Sequence, residues 1–298
     1  MTELQSTPKR GLISNIFISS DEPRLRAGWR LLLQTLLMLI IGIPISLLAG
    51  SIPISGDGLF LSQIVELIIF TLSIYIARRW LDKRSFLSLG LRVNKQAFVD
   101  IFIGIAITFV MMGFIYLAEV AMGWLTFERF AWQVEPINSV IIGVLSFLIV
   151  FIFVGFNEEL LSRGYHLQTL ASGINMFWGV LISSSLFGIA HLGNPNATWV
   201  SAVGIFFAGV FLAYGYIRTG QLWLSIGLHI GWNFFEGVIF GFPVSGLDIY
   251  RLVRHQVNGP EIWTGGAFGP EAGLIVLPAL VIGSALIYLY TMKRTITK

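Results

Sequence analysis

The sequence predicts an all-α, polytopic membrane protein with about eight transmembrane helices. Hydrophobic residues make up 55% of the 298 positions and charged residues only 12%, whereas a soluble domain carries about 25% charged residues. The apolar residues also come in long blocks, and about 20 mostly apolar residues cross a bilayer as a helix. The chain contains no cysteine, which excludes disulfides, thiolate catalysis and cysteine-bound metal.

Connecting segments separate the apolar blocks. The basic stretch 78–97 follows the second block, the polar turn 171–175 divides the fourth from the fifth, and the Gly- and Pro-rich loop 241–271 precedes the eighth. The predicted spans are 31–50, 58–77, 98–123, 138–160, 174–192, 200–217, 222–240 and 272–292. We therefore expect a polar cytoplasmic N-terminal segment, residues 1–30, without a cleavable signal peptide, and a single helical membrane domain, residues 31–298.

Basic residues predict the orientation in the membrane. If the N-terminus is cytoplasmic, 16 of the 19 Lys and Arg residues lie inside, and only Arg129, Arg251 and Arg254 lie outside. The positive-inside rule therefore places both termini in the cytoplasm, and we expect a multi-pass protein of a prokaryotic plasma (inner) membrane. The stretch 78–97 is interpreted as a topology anchor that contacts the lipid bilayer, and nucleic-acid binding is not expected.

Polar side chains within the predicted spans are the candidate functional residues, because ionisable groups are costly inside a membrane and mark functional sites. They include an amide as well as ionisable groups: Glu66, Glu119, Glu158, Glu159, Arg163, His191, His229, Asn233 and Glu236. Six of these fall into three short patterns in the second half of the chain, within residues 155–235. They are Glu-Glu-x-x-x-Arg at 158–163, Phe-x-x-x-His at 187–191 and His-x-x-x-Asn at 229–233.

Helical spacing predicts how these side chains face. Glu159 and Arg163 are four residues apart and share a face, which predicts an ion pair. Glu158 is turned by about 100° from its neighbour and is expected on the reactive face. His191 lies at about the same distance from the turn at 171–175 as Glu158, so the two are predicted to be level. His229 is only about nine residues from the next turn, so it matches this depth only if its helix is tilted or starts late.

A carboxylate, two imidazoles and an amide can hydrolyse a peptide bond. Glu158 would act as general base on a water molecule, and His191 would hold that water and shuttle its proton. His229 and Asn233 would donate hydrogen bonds to the oxyanion. This mechanism requires no cofactor. The alternative is a zinc ion bound by Glu158, His191 and His229, since three ligands plus water form the usual catalytic zinc set; the common His-Glu-x-x-His motif is absent.

The three patterns, in this order on consecutive apolar segments, resemble the CAAX-protease and bacteriocin-processing family of intramembrane endopeptidases, which includes type II CAAX prenyl endopeptidases. Four short sequence segments also agree with this resemblance: 159–164, 187–191, 218–223 and 226–229. The resemblance implies an eight-helix bundle with a polar cavity inside the membrane and a glutamate-dependent protease reaction; members have been described both as zinc enzymes and as glutamate enzymes. It marks Glu158, Glu159, Arg163, His191, His229 and Asn233.

The sequence thus predicts an integral-membrane endopeptidase that cleaves a membrane-associated protein or peptide. Two other classes stay open at this level. A non-catalytic binding or immunity protein would keep the scaffold and sequester a peptide. A proton-coupled transporter also uses buried Glu and His, although transporters often carry inverted repeats and the motifs here lie in one half of the chain.

Several features have simpler structural interpretations. Glu159 and Arg163 form only a bracing ion pair in this view, and Gly227 and Gly231 form a Gly-x-x-x-Gly pair that favours close helix packing beside His229. His166 and His255 lie outside the predicted spans and are expected to be solvated or interfacial. The loop 241–271 is either a plain connector or a cover over the membrane core.

Overall fold

The computed structural model describes residues 16–19, 22–53 and 58–294. Much of the predicted N-terminal segment 1–30 lies outside the described residues, together with its basic residues Lys9 and Arg10. The basic C-terminal residue Lys298 also lies outside them.

Apolar helices make up most of the described chain. Asn94, Asn175 and Thr198 cap three of them, because each side chain accepts a backbone N–H of the first helical turn. In chain order the helices are α1 Ala27–Gly50, α2 Leu59–Ile76, α3 Lys95–Ala121, α4 Ile137–Glu159, α5 Leu167–Gly173, α6 Met176–Ala190, α7 Trp199–Thr219, α8 Trp223–Asn233, α9 Glu261–Thr264 and α10 Val276–Thr291. Three π-helical segments continue α2, α4 and α8: Ala77–Leu81, Leu160–His166 and Phe234–Ile239.

The predicted helical membrane fold is confirmed, whereas the predicted number of eight spans is not. Six helices among the described residues are long and apolar enough to cross a membrane. The fourth of these runs from 137 to 173, well beyond the predicted end at 160, because the π-helical segment carries α4 directly into α5. The last two predicted spans fall short of this length: α8 has 11 residues before its π-helical segment, and α10 has 16.

A small antiparallel sheet packs against the helical core through Leu125 and Val257, and the sequence analysis did not predict it. Strand β1, Leu125–Phe130, pairs with β2, Val253–Val257. The prediction that His255 is solvated or interfacial was wrong. This side chain is buried, its Nε2 donates to the Phe240 carbonyl oxygen at 2.9 Å, and burial lowers its pKa to about 4.

Helix α8 is the centre of the bundle, since every residue of 224–233 is buried. It packs against α3 at backbone distance. A Cβ atom at Gly227 would lie 2.3 Å from the Ile101 carbonyl oxygen, and one at Gly231 would lie 2.1 Å from Thr108 Oγ1. The close helix packing predicted from the Gly-x-x-x-Gly pair is therefore present.

Replacing Gly227 by Ala is expected to destabilise the protein. The added methyl group would meet the α3 backbone, which cannot yield without moving the helix, and such overpacking typically costs about 1–3 kcal/mol. We expect a lower thermal unfolding midpoint in detergent. Gly113→Ala is the matched control, because its Cβ would meet only the Phe240 ring at 3.8 Å. A Gly227→Ala protein as stable as the Gly113→Ala protein would contradict the packing argument.

Candidate active site

Three of the predicted residues meet around a single carboxylate oxygen. Glu158 Oε2 lies 3.8 Å from Nε2 of His191 and also 3.8 Å from Nε2 of His229. This oxygen is buried and has no hydrogen-bond partner among the described residues. Glu158 and His191 therefore lie at the same depth in the bundle, as predicted, and His229 reaches that depth too.

Glu159 joins the same cluster from its other side. Its Oε1 accepts from Arg163 Nη1 at 2.8 Å, which is the predicted ion pair, and also from His229 Nδ1 at 2.9 Å. Glu159 and Arg163 are almost fully buried. The two neighbouring glutamates thus face different ways: Glu158 faces both imidazole Nε2 atoms, while Glu159 holds the far side of one ring.

Phe187 explains the second pattern. Its carbonyl oxygen lies 2.8 Å from His191 Nδ1, so this nitrogen must carry the proton and donate it. The Phe187 ring also packs edge-on against both imidazoles, with centroids 4.7 Å from His191 and 6.1 Å from His229. The Arg163 guanidinium lies over the same ring at 4.2 Å and donates to the Gly209 carbonyl oxygen at 3.1 Å. Arg163 therefore connects α4, α6 and α7.

Local helix geometry brings the three patterns together. π-helical segments begin directly after Glu159 and directly after Asn233, and such segments occur frequently at functional sites. Helix α8 begins at Trp223, one residue after the predicted start at 222, so a late start does not account for the depth of His229. Leu222 is fully buried, and its N–H donates to the Gly90 carbonyl oxygen at 2.9 Å, so the helix begins beneath the connection between α2 and α3.

These side chains line a cavity of about 360 Å³ inside the bundle. Asn233 lines it together with Glu158, His191 and His229. The loop 241–271 covers the cavity rather than merely connecting two helices. It contributes apolar and polar lining residues: Val244, Ser245, Leu247, Ile249 and Glu271.

Comparison with known proteins shows what the region around this site is similar to. Residues 139–235 match the sequence profile of the family described as type II CAAX prenyl endopeptidase Rce1-like. The predicted family resemblance is confirmed. All six candidate residues, from Glu158 to Asn233, lie within this Rce1-like region.

Two curated relatives extend the comparison. The chain is 31% identical over 135 residues to a Bacillus subtilis (strain 168) protein named "Putative membrane peptidase YdiL", covering 45% of this chain and 51% of that protein. It is 32% identical over 105 residues to an "Uncharacterized 24.3 kDa protein" of Escherichia coli, covering 35% of this chain and 48% of that protein. The chain thus spans about half the length of each relative.

Glu271 is a site residue that the sequence analysis missed, and it lies outside the Rce1-like region. Its Oε1 accepts from Trp232 Nε1 at 3.0 Å, and its Oε2 accepts from the Ser245 N–H at 2.9 Å and Oγ at 2.6 Å. Burial raises the pKa of Glu271. The only hint in the sequence was Trp232 between the two motif residues Gly231 and Asn233, since a buried indole N–H needs an acceptor.

The three unassigned glutamates occupy different places. Glu66 lines the cavity of the candidate active site, and so does His166, which the long helix carries into the bundle. Glu119 and Glu236 are fully buried away from the cavity lining. Within the described part of the chain, the carboxylates of Glu119 and Glu236 have no hydrogen-bond partner.

The zinc alternative can be tested against the positions of the donor atoms. In the described ranges, no group of three or more His, Asp or Glu side chains is arranged to hold a metal ion. Glu158 Oε2 stands 3.8 Å from each imidazole Nε2. As they stand, the described residues therefore do not form a metal-ligand set.

Proposed function

We propose that the chain is an intramembrane endopeptidase that hydrolyses a peptide bond of a membrane-associated protein or peptide, with Glu158 as the general base. One observation carries the proposal: an unpartnered Glu158 oxygen stands equidistant from two imidazole nitrogens at the wall of a cavity within the bundle. The Rce1-like family match supports the same reaction class. The apolar helices support a substrate that reaches the site from the bilayer.

The spacing around Glu158 suits an attacking water molecule. A gap of 3.8 Å between polar atoms is too long for a direct hydrogen bond, and one water can bridge such a gap. A water held there would donate one proton to Glu158 and the other to the Nε2 lone pair of His191. The general base would accept the first proton as the water oxygen attacks the carbonyl carbon of the substrate.

The two histidines are prepared for different tasks. His191 donates from Nδ1 to the Phe187 carbonyl oxygen, so in the neutral ring Nε2 is an acceptor that positions water and takes up a proton. It can later return that proton to the leaving amine. His229 donates from Nδ1 to Glu159, so its Nε2 donates to an oxyanion only when the ring carries both protons. The nearby Glu158 and Glu159 carboxylates stabilise that cation.

The amide of Asn233 supplies the second oxyanion donor. It lies one helical turn beyond His229 and lines the same cavity. Removing one such donor typically lowers kcat by about 10²–10³. We therefore expect Asn233→Ala to bind a reporter peptide normally and cleave it about 10²-fold more slowly.

The test is cleavage of a fluorogenic membrane peptide by the purified protein in detergent. A strong chelator separates the two mechanisms, because the water-only reaction is expected to continue unchanged, whereas loss of activity that zinc restores would establish the zinc alternative. A wild-type protein that cleaves nothing, yet binds the peptide as tightly as Glu158→Gln does, would support the non-catalytic binding protein instead.

A further inference from the structure

A second pocket opens at the basic end of the bundle, where α3 begins and where α7 and α10 end. Its volume is about 260 Å³, close to the lower limit of small-molecule sites, about 300 Å³. It is separate from the candidate active site, since the two share no lining residue. Three arginines line it, Arg92, Arg218 and Arg294, together with a single carboxylate, that of Asp100.

That single carboxylate is already fully used. Asp100 is 1% exposed. It accepts from Arg294 Nη2 at 3.0 Å and from Tyr290 Oη at 2.6 Å, and a third bond comes from the Gln96 amide at 3.1 Å. It therefore neutralises Arg294 and holds the end of α10 against the start of α3. The charges of Arg92 and Arg218 are left without a compensating group.

The two remaining arginines are held in place without losing their positive charge. Arg218 Nε donates to Thr291 Oγ1 at 2.8 Å, and its guanidinium lies 5.2 Å from the Tyr288 ring centroid. Within the described chain, neither Arg92 nor Arg218 forms a salt bridge. The pocket thus has a net positive charge and carries guanidinium groups that still have donors to offer.

A tryptophan at the rim suits this pocket to the level of lipid headgroups. Trp223 lines it, and its Nε1 donates to the Arg92 carbonyl oxygen at 2.9 Å. Tryptophans with one polar and one apolar edge gather at the membrane–water interface. The N-terminus of α3 also opens here, beside its cap Asn94, and its free N–H groups favour an anion.

We propose that this pocket binds a phosphate anion, supplied by an acidic phospholipid headgroup or by a free phosphate compound. Arginine forks match phosphate oxygens in geometry as well as charge, and basic pockets between membrane helices are suited to anionic headgroups. The assignment also gives a role to the sequence segment 218–223, since four of its residues line the pocket: Arg218, Thr219, Gln221 and Trp223. None of these residues faces the candidate active site.

The experiment counts lipid bound to the purified full chain by native mass spectrometry, with phosphatidylglycerol compared against phosphatidylcholine. We expect the wild type to prefer phosphatidylglycerol. Arg92→Gln should weaken that preference roughly 5-fold, and the double variant Arg92→Gln/Arg218→Gln should weaken it ~25-fold. The single variant covers the case in which the double variant fails to fold, because the Arg92 side chain is exposed.

The matched control is Arg26→Gln/Arg79→Gln, which removes the same charge from exposed positions outside the pocket. It should keep the full preference. Inorganic phosphate distinguishes the two sources: it displaces phosphatidylglycerol if free phosphate fills the site, and has no effect if the lipid is required. Equal binding of both lipids by the wild type, or an unchanged preference in Arg92→Gln and the double variant, would overturn the proposal.

Discussion

Glu158→Gln is expected to reduce peptide cleavage by about 10²–10⁴-fold, the usual contribution of a positioned general base. Glutamine has nearly the same shape but accepts no proton, so water bound between this position and His191 would no longer be activated. The loss should appear in kcat, with KM little changed, because the proposed role of Glu158 is to activate water rather than to bind the peptide. The measurement is steady-state cleavage of the fluorogenic peptide in detergent.

Folding should be unaffected by this substitution, since Glu158 Oε2 makes no hydrogen bond within the described structure. Glu66→Gln is the matched control: it removes a carboxylate from the same cavity but from a position that faces neither imidazole, and we expect less than a tenfold change. If Glu158→Gln cleaves at the wild-type rate, Glu158 is not the base. If Glu66→Gln is equally inactive, the loss is not specific to the carboxylate that faces the imidazoles.

The sequence was informative where the relevant contact lies within one helix. Glu159 and Arg163 are four residues apart on a continuous helix, so helical geometry alone predicted their pairing, and the same spacing placed His229 and Asn233 on one face. The hydrogen bond from His229 to Glu159 joins residues 70 positions apart. Local periodicity carries no information about such a contact, which depends on how α8 packs against α3 and α4.

The predicted spans and the observed helices differ where contacts distant in sequence, rather than local composition, set the structure. Hydropathy predicts a span from composition, but the length of α8 is set by Gly90, which receives the Leu222 N–H, and by the π-helical segment after Asn233. Likewise, Glu271 enters the cavity from a loop that hydropathy treats as external. The roles of the six candidate residues stay predictions, and the assays above test them.

Arg163→Leu is expected to produce the largest loss of stability, about 3–5 kcal/mol, because it leaves a buried Glu159 carboxylate without its cation. The guanidinium also donates to the Gly209 carbonyl oxygen and lies on the Phe187 ring, so α4, α6 and α7 would lose their common contact. The thermal unfolding midpoint in detergent should fall steeply. Cleavage should fall with it, since His229 takes its orientation from Glu159.

Two further variants separate the buried charge from the lost packing. In Glu159→Gln/Arg163→Leu the remaining side chain is neutral and its carbonyl oxygen still accepts from His229, so we expect much of the stability to return. Arg84→Leu, which breaks an exposed pair with Glu22 at 3.0 Å, should cost less than about 1 kcal/mol. An Arg163→Leu protein no less stable than Arg84→Leu would mean that the ion pair does not brace the site. A double variant as unstable as Arg163→Leu would assign the loss to the Gly209 and Phe187 contacts rather than to the stranded carboxylate.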